Sequence, residues 1–189
     1  MKRQRQLMYD QGLAYFVTTR LTGSVDILRS PKYAHVLLSH LNRSRAKYDF
    51  ELLAYVIMPD HIHLAVRPGP KGNISVIMRE LKKFSAREIS GQLEQDERHD
   101  VLRIFRRSAS KYHRTESRTY QVWADRFDDV AVKSEQVLQT KIAYIHHNPV
   151  RAGLVDRAED YVYSSARDYA SAESMGAGQV TDLTPTDLE

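Results

Sequence analysis

Apolar and polar positions along this chain repeat with two different periods, and the switches between them mark its elements. Ala14-Tyr15-Phe16-Val17-Thr18-Thr19, rich in β-branched and aromatic residues, predicts a first strand. Ser30-Pro31 then offers an N-cap followed by proline at the first helical position. Tyr33, Ala34, Leu37, Leu38 and Leu41 continue it as a helical stripe to about residue 47. Residues 52–58, nearly all apolar, predict a second strand that turns at Pro59-Asp60. Residues 61–67 alternate cleanly as a third strand, with Ile62, Leu64 and Val66 on one face and His61, His63 and Ala65 on the other.

Gly69, Pro70 and Gly72 break the chain before a second helix, capped near Asn73 or Ser75. Ile74, Ile77, Met78, Leu81, Phe84 and Ile89 give its apolar spacing to about residue 90. The polar stretch that follows has no assigned element. Residues 127–132 predict a fourth strand. A third helix starts at Ser134 and is expected to end at Asn148-Pro149, with Val137, Leu138, Ile142 and Ile145 facing the core and His146 and His147 pointing elsewhere. The order β-α-β-β-α-β-α predicts an α+β fold: an antiparallel sheet with helices on one face, close to ferredoxin-like. Residues 1–169 form the expected single domain, and 170–189 an acidic, disordered tail.

Composition narrows the chemistry. The absence of cysteine removes disulfides, thiol nucleophiles and Cys-based zinc sites. No apolar run approaches the roughly 20 residues that span a bilayer, and no signal-peptide core follows the basic N-terminus. A cytoplasmic, nucleoid-associated location is therefore expected. The net charge of +4 hides an asymmetry: residues 168–189 carry five acids and no Lys or Arg, leaving +9 on the rest. A basic body favours a polyanionic partner, because neutralised phosphates release condensed counterions. Lys82, Lys83, Arg103, Arg106, Arg107, Lys111, Arg114, Lys141 and Arg151 are the candidate phosphate contacts. Tyr112 and Tyr120 are candidates for stacking on unpaired bases.

The sharpest feature is His61-Ile62-His63. Histidines two apart on a strand share a face and can lean onto one metal ion. On the late helix, Tyr144 and Asn148 are four residues apart and share a side, with Lys141 beside them. Together these elements compose a metal-assisted tyrosine nucleophile, with the Asn148 amide oxygen completing the site. A divalent cation would offset the negative charge of a phosphodiester. The phenol, whose reference pKa is about 10, needs a positive field or a base nearby, which Lys141 supplies. A covalent phosphotyrosine keeps the bond energy, so the strand can be rejoined without ATP.

At these residues the chain resembles a known family. Tyr55-Val56-Ile57-Met58-Pro59-Asp60-His61-Ile62-His63-Leu64 is similar to the metal-binding strand of HUH single-tyrosine transposases. The run from Tyr144-Ile145-His146-His147-Asn148-Pro149 through Val155 resembles the helix and exit of their REP-associated branch, and Tyr163-Ser164-Ser165-Ala166-Arg167-Asp168-Tyr169 its C-terminal motif. Trp123 and Phe127 sit where that branch carries an aromatic pair. The resemblance spans residues 10–169 and implies Mg²⁺ or Mn²⁺ on His61, His63 and Asn148, with Tyr144 as nucleophile. It further implies cleavage of single-stranded DNA at or near hairpins of palindromic repeats, by a monomer or homodimer. Two departures stand out: a longer, more basic 92–120 segment, and Asp128-Asp129-Val130 after Phe127 in place of aromatic-Asp-His. A histidine-triad nucleotide hydrolase would need a third histidine where Ala65 stands. A zinc hydrolase would leave Tyr144 and Asn148 idle. A domesticated, non-cleaving hairpin-binding protein is the alternative that keeps the fold.

Overall fold

The computed structural model describes residues 12–112 and 119–173. Four strands, β1 (Ala14–Arg20), β2 (Glu51–Ile57), β3 (His61–Arg67) and β4 (Asp128–Val132), form one sheet in the order β2-β3-β1-β4. Every neighbouring pair is antiparallel. This is the ferredoxin-like arrangement expected from the element order. The β2–β3 hairpin closes over Pro59-Asp60, with Met58 N–H donating to the His61 carbonyl at 2.8 Å. Leu21 N–H reaches the Asp60 carbonyl at 2.7 Å, which ties the turn to the end of β1.

Two long helices, α1 (Pro31–Tyr48) and α2 (Ile74–Gln95), cover one face. Asn73 caps α2 by accepting the Val76 N–H at 3.0 Å. Ser30 occupies the cap position of α1 but its side chain makes no capping bond. Ile62, Leu64 and Val66 from β3 meet Leu37, Leu41, Ile77 and Leu81 there in the larger hydrophobic cluster. A further helix, α3 (His99–Tyr112), lies where no element was expected. Val101, Leu102, Phe105 and Ala109 are its buried stripe. The arginines between them masked a helical period in the sequence.

The expectation of helices on one face alone fails. The helix α4 (Glu135–Arg151) crosses the opposite face, where Leu138, Ile142 and Ile145 pack on Ala14, Phe16, Ala54, Val56, Ala65 and Val132. Strand alternation makes that face apolar too, so it must also be covered. Val137 does not join this core and is exposed. The helix also runs two residues past Pro149, where the lost N–H bond and the ring's clash with the Ile145 carbonyl disturb the final turn alone. Leu154 N–H to the Pro149 carbonyl at 2.9 Å closes the end, with Gly153 at φ +66 as the left-handed stop.

After α4 the chain returns to the edge of β2. Val56 bridges to Ser164, and Ser165 Oγ accepts the Tyr55 N–H at 3.0 Å. A last helix, α5 (Ala166–Glu173), spans the boundary expected at residue 169, and residues 174–189 lie outside the described residues. Among the described residues, no helix is long and apolar enough to cross a membrane.

Candidate functional site

The sheet register brings the candidate side chains into one row. His63 lies between Thr18 on β1 and Val56 on β2, and His61 opposite Arg20. Their rings are 4.8 Å apart between centroids and nearly perpendicular. Each ring is held from behind through Nδ1. Thr18 Oγ1 meets His63 Nδ1 at 2.7 Å, and the Asp60 carboxylate meets His61 Nδ1. Neither Nε2 has a hydrogen-bond partner among the described residues. Histidines oriented through one nitrogen present the other to an ion in a defined direction.

The electrostatics favour a neutral ring at His63. It is 5 % exposed, and burial, aided by His61 and Arg20, pushes its imidazole down to about 3. A buried cation is costly, so at neutral pH the ring carries a free lone pair, the form that binds a metal. The Asp60 carboxylate, 3.9 Å from the Arg20 guanidinium, opposes this shift without reversing it.

The late helix places Tyr144 over the same row. Its ring is 5.4 Å from that of His63 and 5.8 Å from that of Phe16, edge-on to both. Phe16 itself stacks on His63 at 5.4 Å. Tyr144 is 38 % exposed, so the ring packs while part of the residue stays open to solvent. Two cations flank this cluster: Arg151 lies 5.5 Å from the Tyr144 ring and Lys141 4.7 Å from the Phe16 ring. The tyrosine and the histidine pair therefore converge within a single chain. Phe16, which helps to position both, carries no chemical signal in the sequence beyond strand propensity.

Asn148 stands one turn beyond Tyr144, half-buried, with its amide Nδ2 enclosed and unpartnered. A half-turn of the amide exchanges this atom with the oxygen, so the position can present an acceptor. Among the described residues no group of three or more His, Cys, Asp or Glu could hold a metal. The donors at hand are thus two imidazole nitrogens and an amide. That set suits a divalent cation that keeps part of its water shell and takes further oxygens from a phosphate.

His146, expected to point elsewhere than the side of Tyr144 and Asn148, does so, but into a buried contact. It is buried, its Nε2 lies 2.9 Å from Ser165 Oγ, and its ring packs on Tyr169 at 4.8 Å. It pins α4 to the C-terminal segment and, through Ser165, to β2. His147 is exposed.

The candidate phosphate contacts divide. Lys82 reaches the Ala124 carbonyl at 2.6 Å and those of Asp125 and Arg126 at longer range, so it clamps the chain before β4. Lys83, Arg103, Arg106, Arg107 and Arg151 are exposed. Arg106 stacks on Tyr120 and donates to its hydroxyl at 3.0 Å. Lys111 and Tyr112 close α3 with side chains outside the described residues, and Arg114 lies wholly outside them.

Known proteins share this plan. The family described as Transposase IS200 like matches residues 22–108, which include both histidines. A Haemophilus influenzae protein described as a REP-associated tyrosine transposase is 28 % identical over 166 residues, covering 87 % of this chain and 86 % of its own. An Escherichia coli REP-associated tyrosine transposase is 23 % identical over 180 residues, covering 93 % and 92 %. Among solved structures, a REP-associated tyrosine transposase bound to a REP hairpin has the same fold, with a TM-score of 0.64 at 22 % identity. That likeness covers 97 % of this chain and 94 % of the other.

Proposed function

We infer that this chain is a REP-associated tyrosine transposase of the IS200-like family and nicks and rejoins single-stranded DNA at or near hairpins formed by palindromic repeats. The observation that carries the reading is the convergence of the Tyr144 and His63 rings at 5.4 Å from elements 81 positions apart in the chain.

The phenolic oxygen of Tyr144 attacks the scissile phosphorus, and the bond from phosphorus to the 3′ oxygen breaks. The 3′ oxygen takes up the proton that the phenol gives away, and the 5′ end remains esterified to the tyrosine. Rejoining runs the same exchange backwards with a 3′-hydroxyl as nucleophile, which is why no external energy source is required. Lys141 and Arg151, beside the Phe16 and Tyr144 rings, supply positive field for the developing phenolate and for the phosphate. His61 and His63, with the Asn148 amide oxygen, would hold Mg²⁺ or Mn²⁺. Such an ion withdraws charge from a non-bridging phosphate oxygen. Thr18 and Asp60 keep both imidazoles aimed, and Phe16, stacked on His63 and edge-on to Tyr144, spaces the ring from the nucleophile. One chain contains the whole set, so a monomer is sufficient for the chemistry.

Labelled hairpin oligonucleotides incubated with Mn²⁺ should yield a covalent protein–DNA adduct on denaturing gels. Tyr144→Phe should abolish the adduct, and its persistence would remove Tyr144 from the role. His63→Ala should stop adduct formation while leaving much of the hairpin binding. Hairpin binding with no adduct from the unmodified chain would identify a domesticated, non-cleaving binder.

A further inference from the structure

Across the molecule from the tyrosine, α2 and residues 119–127 enclose an open groove of about 1040 Å³. Four cations on α2 line it together with Glu94 and Asp125; Lys82 is turned to the Ala124 carbonyl, which leaves Arg79, Lys83 and Arg87. They are spaced by four residues, and none forms an ion pair among the described residues. On a helix that spacing sets them in one row, ~6 Å apart. The step is comparable to that between successive phosphates of an extended strand. Two aromatic rings share the groove, Phe84 at 42 % exposure and Tyr120 at partial exposure. The Phe84 ring stacks on His40 at 6.4 Å and has Lys83 Nζ 5.4 Å from its centroid, yet it stays exposed. An exposed ring among cations without carboxylate partners suits stacked bases better than water alone.

A second observation points the same way. Gly91 continues the row of Arg79, Lys83 and Arg87 and lines the same groove. Glycine is among the poorest helix formers, and α2 is a 22-residue helix with Gly91 in its interior. Nothing in the fold requires it. Its φ is not positive, and a Cβ built there would meet no atom within 4 Å. An unforced glycine facing a groove makes sense where something outside the chain comes close to the backbone.

We propose that this groove is a binding track for unpaired DNA, separate from the catalytic row. Phosphates lie along Arg79, Lys83 and Arg87, bases stack on Phe84 and Tyr120, and the strand passes close over Gly91. The groove wall is fixed in place by Lys82 on the 124–126 carbonyls and by Trp123, whose Nε1 donates to Ser85 Oγ at 3.0 Å. That wall leads directly into β4, whose first residue, Asp128, pairs with Thr18, the hydroxyl partner of His63. A strand in the groove therefore reaches the catalytic face by rounding the end of β4. The track rests on the reading of DNA as substrate, and it specifies where the unpaired flank of a hairpin is held.

The test uses the full chain carrying Tyr144→Phe, titrated by anisotropy with a labelled oligothymidylate and with a blunt hairpin lacking any flank. Gly91→Leu should weaken oligothymidylate binding about ten-fold or more, with melting temperature unchanged or raised. Arg79→Ala with Arg87→Ala should weaken it similarly and flatten the log–log salt slope by about 1.4. Affinity unchanged in both variants would overturn the proposal. So would an equal loss on the blunt hairpin, which would assign the groove to the duplex stem. Groove-dependent binding here, with no adduct from the unsubstituted chain on hairpin DNA and Mn²⁺, would uphold the track and remove the nicking reaction.

Discussion

The two faces of the sheet are built from the same strands and do opposite work. On one, Val17, Ile57, Ile62, Leu64 and Val66 meet α1, α2 and α3 in a closed apolar layer. On the other, alanines at 14, 54 and 65 let α4 lie close, with Phe16 paired to Ala65 in the same row and stacked on His63, whose ring meets Tyr144. Successive residues of β3 thus alternate between stability and chemistry. A period of two lets a strand satisfy both demands, because each side chain answers to only one face. The site face accepts a buried histidine, and the closed face supplies the stability that tolerates it.

The sharpest break of this contrast is a cavity on the closed face. Leu64→Ala, at a site 1 % exposed, should cost about 2–5 kcal/mol of unfolding free energy. Urea titration measures that loss, and adduct yield per folded molecule should remain near that of the parent. A yield that collapses while the fold persists would mean the faces are not independent.

Next comes the pin between α4 and the C-terminal segment. Burial pushes the His146 imidazole down to about 4 from an ordinary value of 6.5. Between those values the unfolded chain binds more protons than the native one, so stability is complete above pH 6.5 and falls as pH drops toward 4. The loss reaches about 3 kcal/mol at most. His146→Gln should make the dependence of melting temperature on pH shallower across that window, with the buried His63 keeping the remainder. An unaltered pH profile would show that His146 is not the group responsible.

The smallest effect should come from Thr18→Val, which keeps the strand and removes the hydroxyl behind His63. About 10–100-fold more Mn²⁺ should be needed for half-maximal adduct formation, with melting temperature little changed. An unchanged metal requirement would detach Thr18 from the ion site and leave its bond to His63 as packing alone.

Strands and their order were legible because alternation and β-branched content are local properties. The span of β3 matched its expected residues 61–67. The caps at Asn73 and Ser134 were legible too, each a side-chain oxygen placed three residues before the N–H it accepts. The helix α3 was hidden because four buried positions are interleaved with arginines that read as a solvated run. Pro149 misled by two residues, because the disruption it causes falls on the final turn, which the contacts of α4 with the sheet and the C-terminal segment hold in place.

Which residue types could act as ligand and nucleophile followed from chemistry and spacing along single elements. Spacing put His61 with His63 on one side of a strand, and Tyr144 with Asn148 on one side of a helix. Spacing within an element says nothing about which face of the sheet that helix covers. The placement of α4 across the histidine face, the part of Phe16 between His63 and Tyr144, and the diversion of Lys82 to carbonyls all depend on contacts between distant segments. Such contacts are settled by packing the whole chain at once, which no local period encodes.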